Sequence, residues 1–157
     1  MGTRSTIALE FADGTVEQVY CHWDGYLAHN GQILLKHYSN PFILRDLIDL
    51  GGLSSLRRDI GEKHAFSQFE LPKEVVEAFV KQTENMCTFY ARDREENLVV
   101  HKFVDFQDYL AHHQYEEYDY ILRNVNGKAT WFVSDHDGAY VELEQAIMDE
   151  QDNEATA

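Results

Sequence analysis

The segment from Tyr20 to Tyr26 is where residue types that could carry chemistry stand closest together. It reads Tyr-Cys-His-Trp-Asp-Gly-Tyr and supplies a thiol, an imidazole and a carboxylate, the groups that cysteine-based acyl transfer uses. Neighbouring residues of a strand point to opposite faces, so Cys21 and His22 could not readily form an ion pair there. The pattern therefore favours a structural role, in which Cys21 and Trp23 pack inward and Asp24 makes a turn.

Two functional interpretations of this segment stay open. His22, Trp23, Asp24 and Tyr26 could form an exposed contact patch at the end of a strand. Alternatively, Cys21 or His22 could converge with one or more of Asp24, His112 and His113 in a small hydrolase-like active site. The second interpretation requires a pocket that joins these side chains, and no complete catalytic motif supports it.

The eight histidines do not predict a metal site. His112 and His113 are adjacent rather than spaced to share one helix face, and no HExxH pattern is present. The sequence Asp135-His136-Asp137-Gly138 resembles the start of a calcium loop. It lacks the later ligands and the closing Glu, so it predicts a turn. We expect neither a metal nor a cofactor.

The charge balance narrows the classes of partner. The chain of 157 residues has 28 acidic and 13 basic residues, a net charge of −15. Such a protein is repelled by phosphate backbones and anionic lipid, which argues against direct nucleic-acid binding and membrane-surface binding. No apolar stretch is long enough to span a membrane. A partner with a basic surface is the class that this charge favours.

Most of the negative charge lies in the last third of the sequence. From Phe103 onward, thirteen acidic residues face only Arg123 and Lys128, a balance of −11. If these acids share one face, that face would imitate the spaced charge of a DNA duplex and attract a basic groove. The alternative is a solvated acidic flank. The candidate partner-binding residues are Asp105, Asp108, Glu116, Glu117, Asp119, Asp135, Asp137, Glu142 and Glu144.

Periodicity in the first half predicts a β-hairpin followed by helices. Alternating apolar residues over 6–11 and 16–23 flank the turn signal Asp13-Gly14. Helical spacing follows a cap at Asn30, a second cap at Asn40 before Pro41, and Pro72. Residues 54 and 55 are expected to begin a further helical turn, and 61–70 a surface loop.

The second half predicts two more hairpins and two helices. Residues 86–92 and 98–104 flank a charged tip, and 118–125 and 128–134 flank Asn126-Gly127. Asp105 is expected to cap a helix between them, and a last helix covers 141–148. We therefore predict a single α+β domain over residues 1–148, with a mainly antiparallel sheet built from hairpins and short helices packed on it. Residues 149–157 are expected to form a disordered acidic tail.

Several motifs resemble a family of small bacteriophage and prophage proteins. The resemblance covers most of the chain and rests on Arg4-Ser5-Thr6-Ile7, Asp13-Gly14-Thr15, the segment Val19 to Tyr26, Leu34 to Tyr38, Leu50 to Leu56 and Tyr90 to Arg94. It implies a phage accessory role in the host bacterial cytoplasm, with no catalytic residue to transfer. Small acidic phage proteins often inhibit host defence, including anti-restriction and anti-CRISPR proteins that mimic DNA.

The leading expectation is therefore a non-enzymatic phage protein that binds and inhibits a host defence or DNA-handling complex through an acidic surface. The first alternative is the hydrolase-like enzyme that uses Cys21, His22 and Asp24. The second is a homo-oligomeric accessory protein, with Tyr115, Tyr118 and Tyr120 at its interface.

Overall fold

The computed structural model describes residues 3–135 and 139–156, and these residues form eight strands and six α-helices. The strands are β1 (Ser5–Glu10), β2 (Val16–Cys21), β3 (Leu53–Ser55), β4 (Thr88–Phe89), β5 (His101–Phe103), β6 (Tyr118–Val125), β7 (Lys128–Asp135) and β8 (Tyr140–Glu142). The helices are α1 (Gln32–His37), α2 (Pro41–Ile48), α3 (Lys73–Thr83), α4 (Tyr90–Arg94), α5 (Phe106–His112) and α6 (Leu143–Thr156). One turn of π-helix precedes α1, and a short 3-10 turn precedes α3.

All eight strands join one mixed sheet. Its order is β4-β3-β2-β1-β6-β7-β8. Strand β5 lies outside this order and pairs with residues 16–18 of β2. The pairs β1–β6 and β2–β3 are parallel, and the other five pairs are antiparallel. The predicted α+β domain with a mainly antiparallel sheet is confirmed. So are the two hairpins around Asp13-Gly14 and Asn126-Gly127.

Side chains alternate between two buried faces of the sheet. The first face carries Ile7 and Leu122 and packs against α1, α2 and α6 in the larger core cluster. The second face carries Ala8 and Ile121, and α5 covers it through Tyr109. Since consecutive strand residues point to opposite sides, the helices α5 and α6 lie on opposite sides of the sheet.

The region 86–104 departs from the predicted hairpin. Residues 88 and 89 form the short strand β4, α4 follows it directly, and β5 (101–103) pairs with β2 instead of β4. The buried carboxylate of Asp93 explains the short helix, because it accepts hydrogen bonds from the backbone of Phe89 (2.8 Å) and His64 (3.1 Å) and from Arg92 Nε (3.0 Å). The contact with His64 reaches across 29 residues of sequence, which local periodicity cannot report.

Two further elements differ from expectation. Residues 53–55 form strand β3, because they pair with Cys21 and Phe89 in the sheet, so the predicted helical turn at 54 and 55 is wrong. The last helix continues through Thr156, where a disordered tail was expected from residue 149. Leu143 and Ile147 anchor its first turns in the core, and Gln145 Nε2 donates to Asp149 Oδ1 at 2.9 Å along the helix.

Candidate functional site

The buried side chain of Asn30 forms a hydrogen bond with the backbone of the loop that follows β2. Asn30 Nδ2 lies 3.3 Å from the carbonyl oxygen of Trp23, 3.3 Å from Ser5 Oγ and 3.4 Å from Cys21 Sγ. Its own backbone N–H donates to the carbonyl of Asp24 at 3.2 Å. Asn30 was predicted as a helix cap, which is wrong: it lies within the π-helical turn, and its side chain fixes the loop to the sheet.

The backbone of the same loop is packed closely against β1. Asp24 has a φ of 58°, a left-handed conformation that costs free energy for a residue with a side chain. A Cβ on Gly25 would lie 2.6 Å from Ser5 Cβ, so only glycine fits. The N–H of Gly25 donates to Thr3, and its carbonyl accepts from Tyr120 Oη at 2.6 Å. These contacts hold the loop backbone against β1 and β6.

These internal contacts present two aromatic side chains to solvent. Trp23 is 43% exposed and Tyr26 is 41% exposed. The prediction that Trp23 packs inward is wrong, because the chain leaves the sheet at Cys21 and the strand alternation ends there. The His22 ring meets the Trp23 ring edge-on at 4.7 Å, and His22 Nδ1 lies 2.7 Å from Tyr20 Oη. Of the four predicted patch residues, Trp23 and Tyr26 are exposed, whereas His22 and Asp24 are half-buried.

Cys21 and His22 do not form a nucleophile and base pair. Cys21 is buried, and its sulfur contacts Asn30 and the backbone of Trp23. Burial raises the pKa of its thiol to about 12. His22 is instead bonded to Tyr20 on the other side of the strand. The arrangement required for the hydrolase-like interpretation with Asp24 is therefore not assembled among these residues.

The sheet register brings part of the predicted acidic set to the same end as this loop. Cys21, Ser5, Tyr118 and Asp135 are successive partners across β2, β1, β6 and β7. The loop begins just after Cys21, while Glu116 and Glu117 immediately precede Tyr118. All of these residues therefore lie at one end of the sheet. We call the group Trp23, Tyr26, Glu116, Glu117 and Asp135 the acidic-aromatic end.

Electrostatic coupling agrees with this placement. Burial raises the pKa of Tyr118, and the nearby carboxylates of Glu150, Asp135 and Glu117 raise it further. The pKa of Tyr20 is also raised, mainly by burial and in part by Glu116, although Arg4 opposes the shift. Glu116 therefore acts on the tyrosine that is bonded to His22.

Asp119 does not belong to the acidic surface. It is only 2% exposed, because position 119 faces the second side of the sheet beneath α5. Its carboxylate accepts from Thr6 Oγ1 at 2.6 Å and from the backbone N–H of Glu116 at 3.2 Å. Burial raises the pKa of Asp119 to about 6. The residue therefore supports the segment that carries Glu116 instead of contacting a partner.

A buried polar network continues from Asp119 to α5. Gln18 Nε2 donates to Thr6 Oγ1 at 2.9 Å and to the carbonyl of Gln114 at 3.2 Å. His113 Nε2 lies 3.3 Å from Tyr140 Oη, and burial lowers the pKa of this histidine. The network fixes the start of β6 relative to β2. The sequence gives one local signal for it, since Thr6 and Gln18 are polar at strand positions.

The remaining predicted acids are distributed around the molecule. Asp105 and Asp108 lie at the start of α5, where Asp105 caps the helix by accepting from the N–H of Asp108 at 2.8 Å. Glu142 and Glu144 are exposed where β8 meets α6. Because α5 and α6 cover opposite faces, the predicted set does not form one continuous face. Asp137 lies outside the described residues.

The histidines and tyrosines of the second half of the chain differ in exposure. Within residues 3–135 and 139–156, no group of three or more His, Cys, Asp or Glu side chains is arranged to hold a metal ion. His112 pairs with Asp108 at 2.8 Å on the surface, whereas His113 is buried. Tyr115 is exposed, but Tyr120 is fully buried and cannot contribute to an oligomer interface.

Comparisons with known proteins find no match. No protein-family model, curated protein or solved structure matches this chain. Among the described residues, no helix combines the length and apolar character needed to cross a membrane.

Proposed function

We propose that this protein is a phage accessory protein that binds a basic surface of a host defence or DNA-handling complex and inhibits it without catalysing a reaction. The acidic-aromatic end is the contact surface, and the host bacterial cytoplasm is the place of action. The observation that supports the proposal is that two exposed aromatic side chains and three carboxylates lie at the same end of the sheet.

The aromatic side chains have the properties of binding anchors. Trp and Tyr dominate the binding energy of many protein interfaces because they bury a large area at a small entropic cost. Trp23 and Tyr26 belong to a loop that Asn30 and Gly25 already hold in place. Such preorganisation lowers the cost of ordering the surface when a partner binds.

The carboxylates select the charge of the partner. None of Glu116, Glu117 and Asp135 forms an ion pair with Lys or Arg of the described residues. Their charges add to the field of a chain with a net charge of −15. One arginine side chain of a partner can stack on Trp23, and others can form hydrogen bonds with these carboxylates.

Inhibition of a DNA-handling complex follows from competition for its basic surface. A DNA-binding groove carries Lys and Arg that contact phosphates, and an acidic protein can occupy it in place of DNA. The anti-restriction or anti-CRISPR type of inhibition rests on the resemblance to phage proteins. Because the acids divide between two sides of the sheet, the match to DNA is electrostatic rather than a copy of duplex geometry.

The test is affinity capture from host lysate at low and high salt, followed by displacement with duplex DNA. We expect a basic nucleic-acid-binding protein that high salt and duplex DNA both release. The triple variant Glu116→Gln, Glu117→Gln, Asp135→Asn and the variant Trp23→Ala should each lose most of this capture. A matched variant, Asp46→Asn, Glu74→Gln, Glu77→Gln, removes the same charge from exposed positions outside the acidic-aromatic end.

The matched variant should retain capture. Equal loss of capture in both triple variants would mean that net charge alone acts and that the acidic-aromatic end is not the contact surface. Capture that neither salt nor duplex DNA reverses would contradict the proposed competition with DNA. Recovery of no basic nucleic-acid-binding protein would contradict the proposal as a whole.

A further inference from the structure

An apolar cavity lies at the end of the sheet opposite the acidic-aromatic end. Its volume is about 280 Å³, close to the lower limit for small-molecule sites. It opens where β1 and β6 finish and α2 begins. Its apolar lining includes Leu9, Phe11, Pro41, Phe42, Leu122 and Ala129.

One charged side chain, that of Arg45, lies beside the apolar lining. Glu10 and Arg123 also border the cavity, but their side chains point to the other face of the sheet. There Arg123 Nη2 and Nε lie 3.1 and 3.2 Å from Glu10 Oε2, and the guanidinium carbon lies 3.6 Å from the centre of the Phe106 ring. No carboxylate of the described residues pairs with Arg45. An unpaired cation beside an apolar lining is unexpected in a chain with a net charge of −15.

Two side chains at the rim are poorly explained by the fold alone. Phe42 is 77% exposed although it borders the cavity. The guanidinium carbon of Arg45 lies 6.0 Å from the centre of the Phe11 ring, beside the apolar lining. An occupant with an apolar body would cover Phe42, and an anionic group on that occupant would pair with Arg45.

We propose that this cavity binds a small apolar carboxylate, a molecule with an aliphatic or aromatic body and one carboxylate group. The body packs against Leu122 and Phe11, and the carboxylate takes the guanidinium of Arg45, whose planar donors match a carboxylate. The site is independent of the proposed function, because it shares no residue with the acidic-aromatic end.

The test is calorimetric titration of the full chain with octanoate, octanol and octylammonium. These three probes share one apolar body and differ in the charge of the head group. We expect saturable binding of octanoate, weaker binding of octanol and the weakest binding of octylammonium. The comparison is stringent, because the overall negative charge of the protein favours the cation.

Variants locate the site. Arg45→Gln should weaken octanoate binding about tenfold while leaving octanol binding unchanged, since it removes one charge-assisted contact. Phe42→Ala should weaken both probes. Lys81→Gln is the matched control, because it removes one positive charge from an exposed position on α3; it should bind octanoate as the wild type does. Arg45, Phe42 and Lys81 are all exposed, so these variants are expected to fold.

Three outcomes would overturn the proposal. The first is the absence of saturable octanoate binding. The second is equal binding of octanoate and octylammonium. The third is an Arg45→Gln variant that binds octanoate as tightly as the Lys81→Gln control. None of these outcomes bears on capture by the acidic-aromatic end, so the two proposals fail separately.

Discussion

Asp119 shows how a single residue can change role between sequence and structure. As an acidic residue in an acidic segment, it was a candidate for contact with a partner. Strand alternation instead turns it beneath α5, where Thr6 and the backbone of Glu116 are its partners. Its charge is therefore held in a buried site, and the consequence is a measurable pH dependence of stability.

We predict that Asp119→Asn removes a pH-dependent loss of stability. The pKa of Asp119 is raised from 3.8 to about 6, so the folded state binds this proton more tightly than the unfolded chain. Proton binding to Asp119 therefore stabilises the folded state at low pH, and this stabilisation is lost as pH rises through about 6. The free energy of unfolding of the wild type, relative to the variant, should fall by about 2 to 3 kcal/mol between pH 4 and pH 7.

Urea denaturation of both proteins across this pH range measures the difference. Asp46→Asn is the control, since it removes an exposed carboxylate and should track the wild type. A constant difference between wild type and Asp119→Asn at all pH values would contradict the prediction.

At the scale of elements, the conformation of the loop after β2 depends on residues of other elements that pack against it. The residues of the loop itself are a patch of aromatic and charged types in the sequence. Their exposure depends on Ser5, Asn30 and Tyr120, which come from three different elements. Sequence periodicity identified β2 and its turn, but it could not show that Asn30 reaches back to the strand.

We predict that Gly25→Ala destabilises the protein by about 1 to 3 kcal/mol, because the new methyl group would overlap Ser5. Its Cβ would lie 2.6 Å from Ser5 Cβ and 2.9 Å from the carbonyl oxygen of Thr3. Gly52→Ala is the matched control, since its Cβ would meet nothing closer than 3.7 Å. That variant should be neutral or slightly stabilising.

Denaturant unfolding compares the two glycine variants. Amide hydrogen exchange at Asn30, whose N–H donates to Asp24, should also accelerate in Gly25→Ala alone. If both variants unfold at the same denaturant concentration, the loop tolerates a side chain at position 25 and the predicted overlap with Ser5 does not occur.

At the scale of the whole molecule, the net charge of −15 acts on stability as well as on binding. Like charges repel in the folded state, and salt screens them over distances of about 10 Å at 0.1 M ionic strength. The charges of the acidic-aromatic end contribute to this repulsion, since Glu116, Glu117 and Asp135 lack cationic partners among the described residues.

We predict that sodium chloride stabilises the protein, by on the order of 1 kcal/mol between low and physiological ionic strength. Urea unfolding at increasing salt concentrations measures the effect. The triple variant Glu116→Gln, Glu117→Gln, Asp135→Asn should respond less than the wild type. A decrease of wild-type stability with added salt would show that attractive ion pairs outweigh the repulsion.

The sequence by itself determined the class of fold and the amount of charge. Alternating apolar residues and the turns Asp13-Gly14 and Asn126-Gly127 were sufficient for two hairpins, because these signals are local. The caps at Asn40 and Asp105 were also identified correctly, since a cap depends on residues two or three positions away.

Only the tertiary structure decided which residues meet. The parallel pairing of β1 with β6 joins residues 113 positions apart, as in the contact of Thr6 with Asp119. That pairing places the loop after Cys21 at the same end of the sheet as Glu116 and Glu117, and it buries the carboxylate of Asp119, which accepts from the backbone of Glu116. A linear pattern gives the number of charges, whereas strand register and burial decide which of them share a surface.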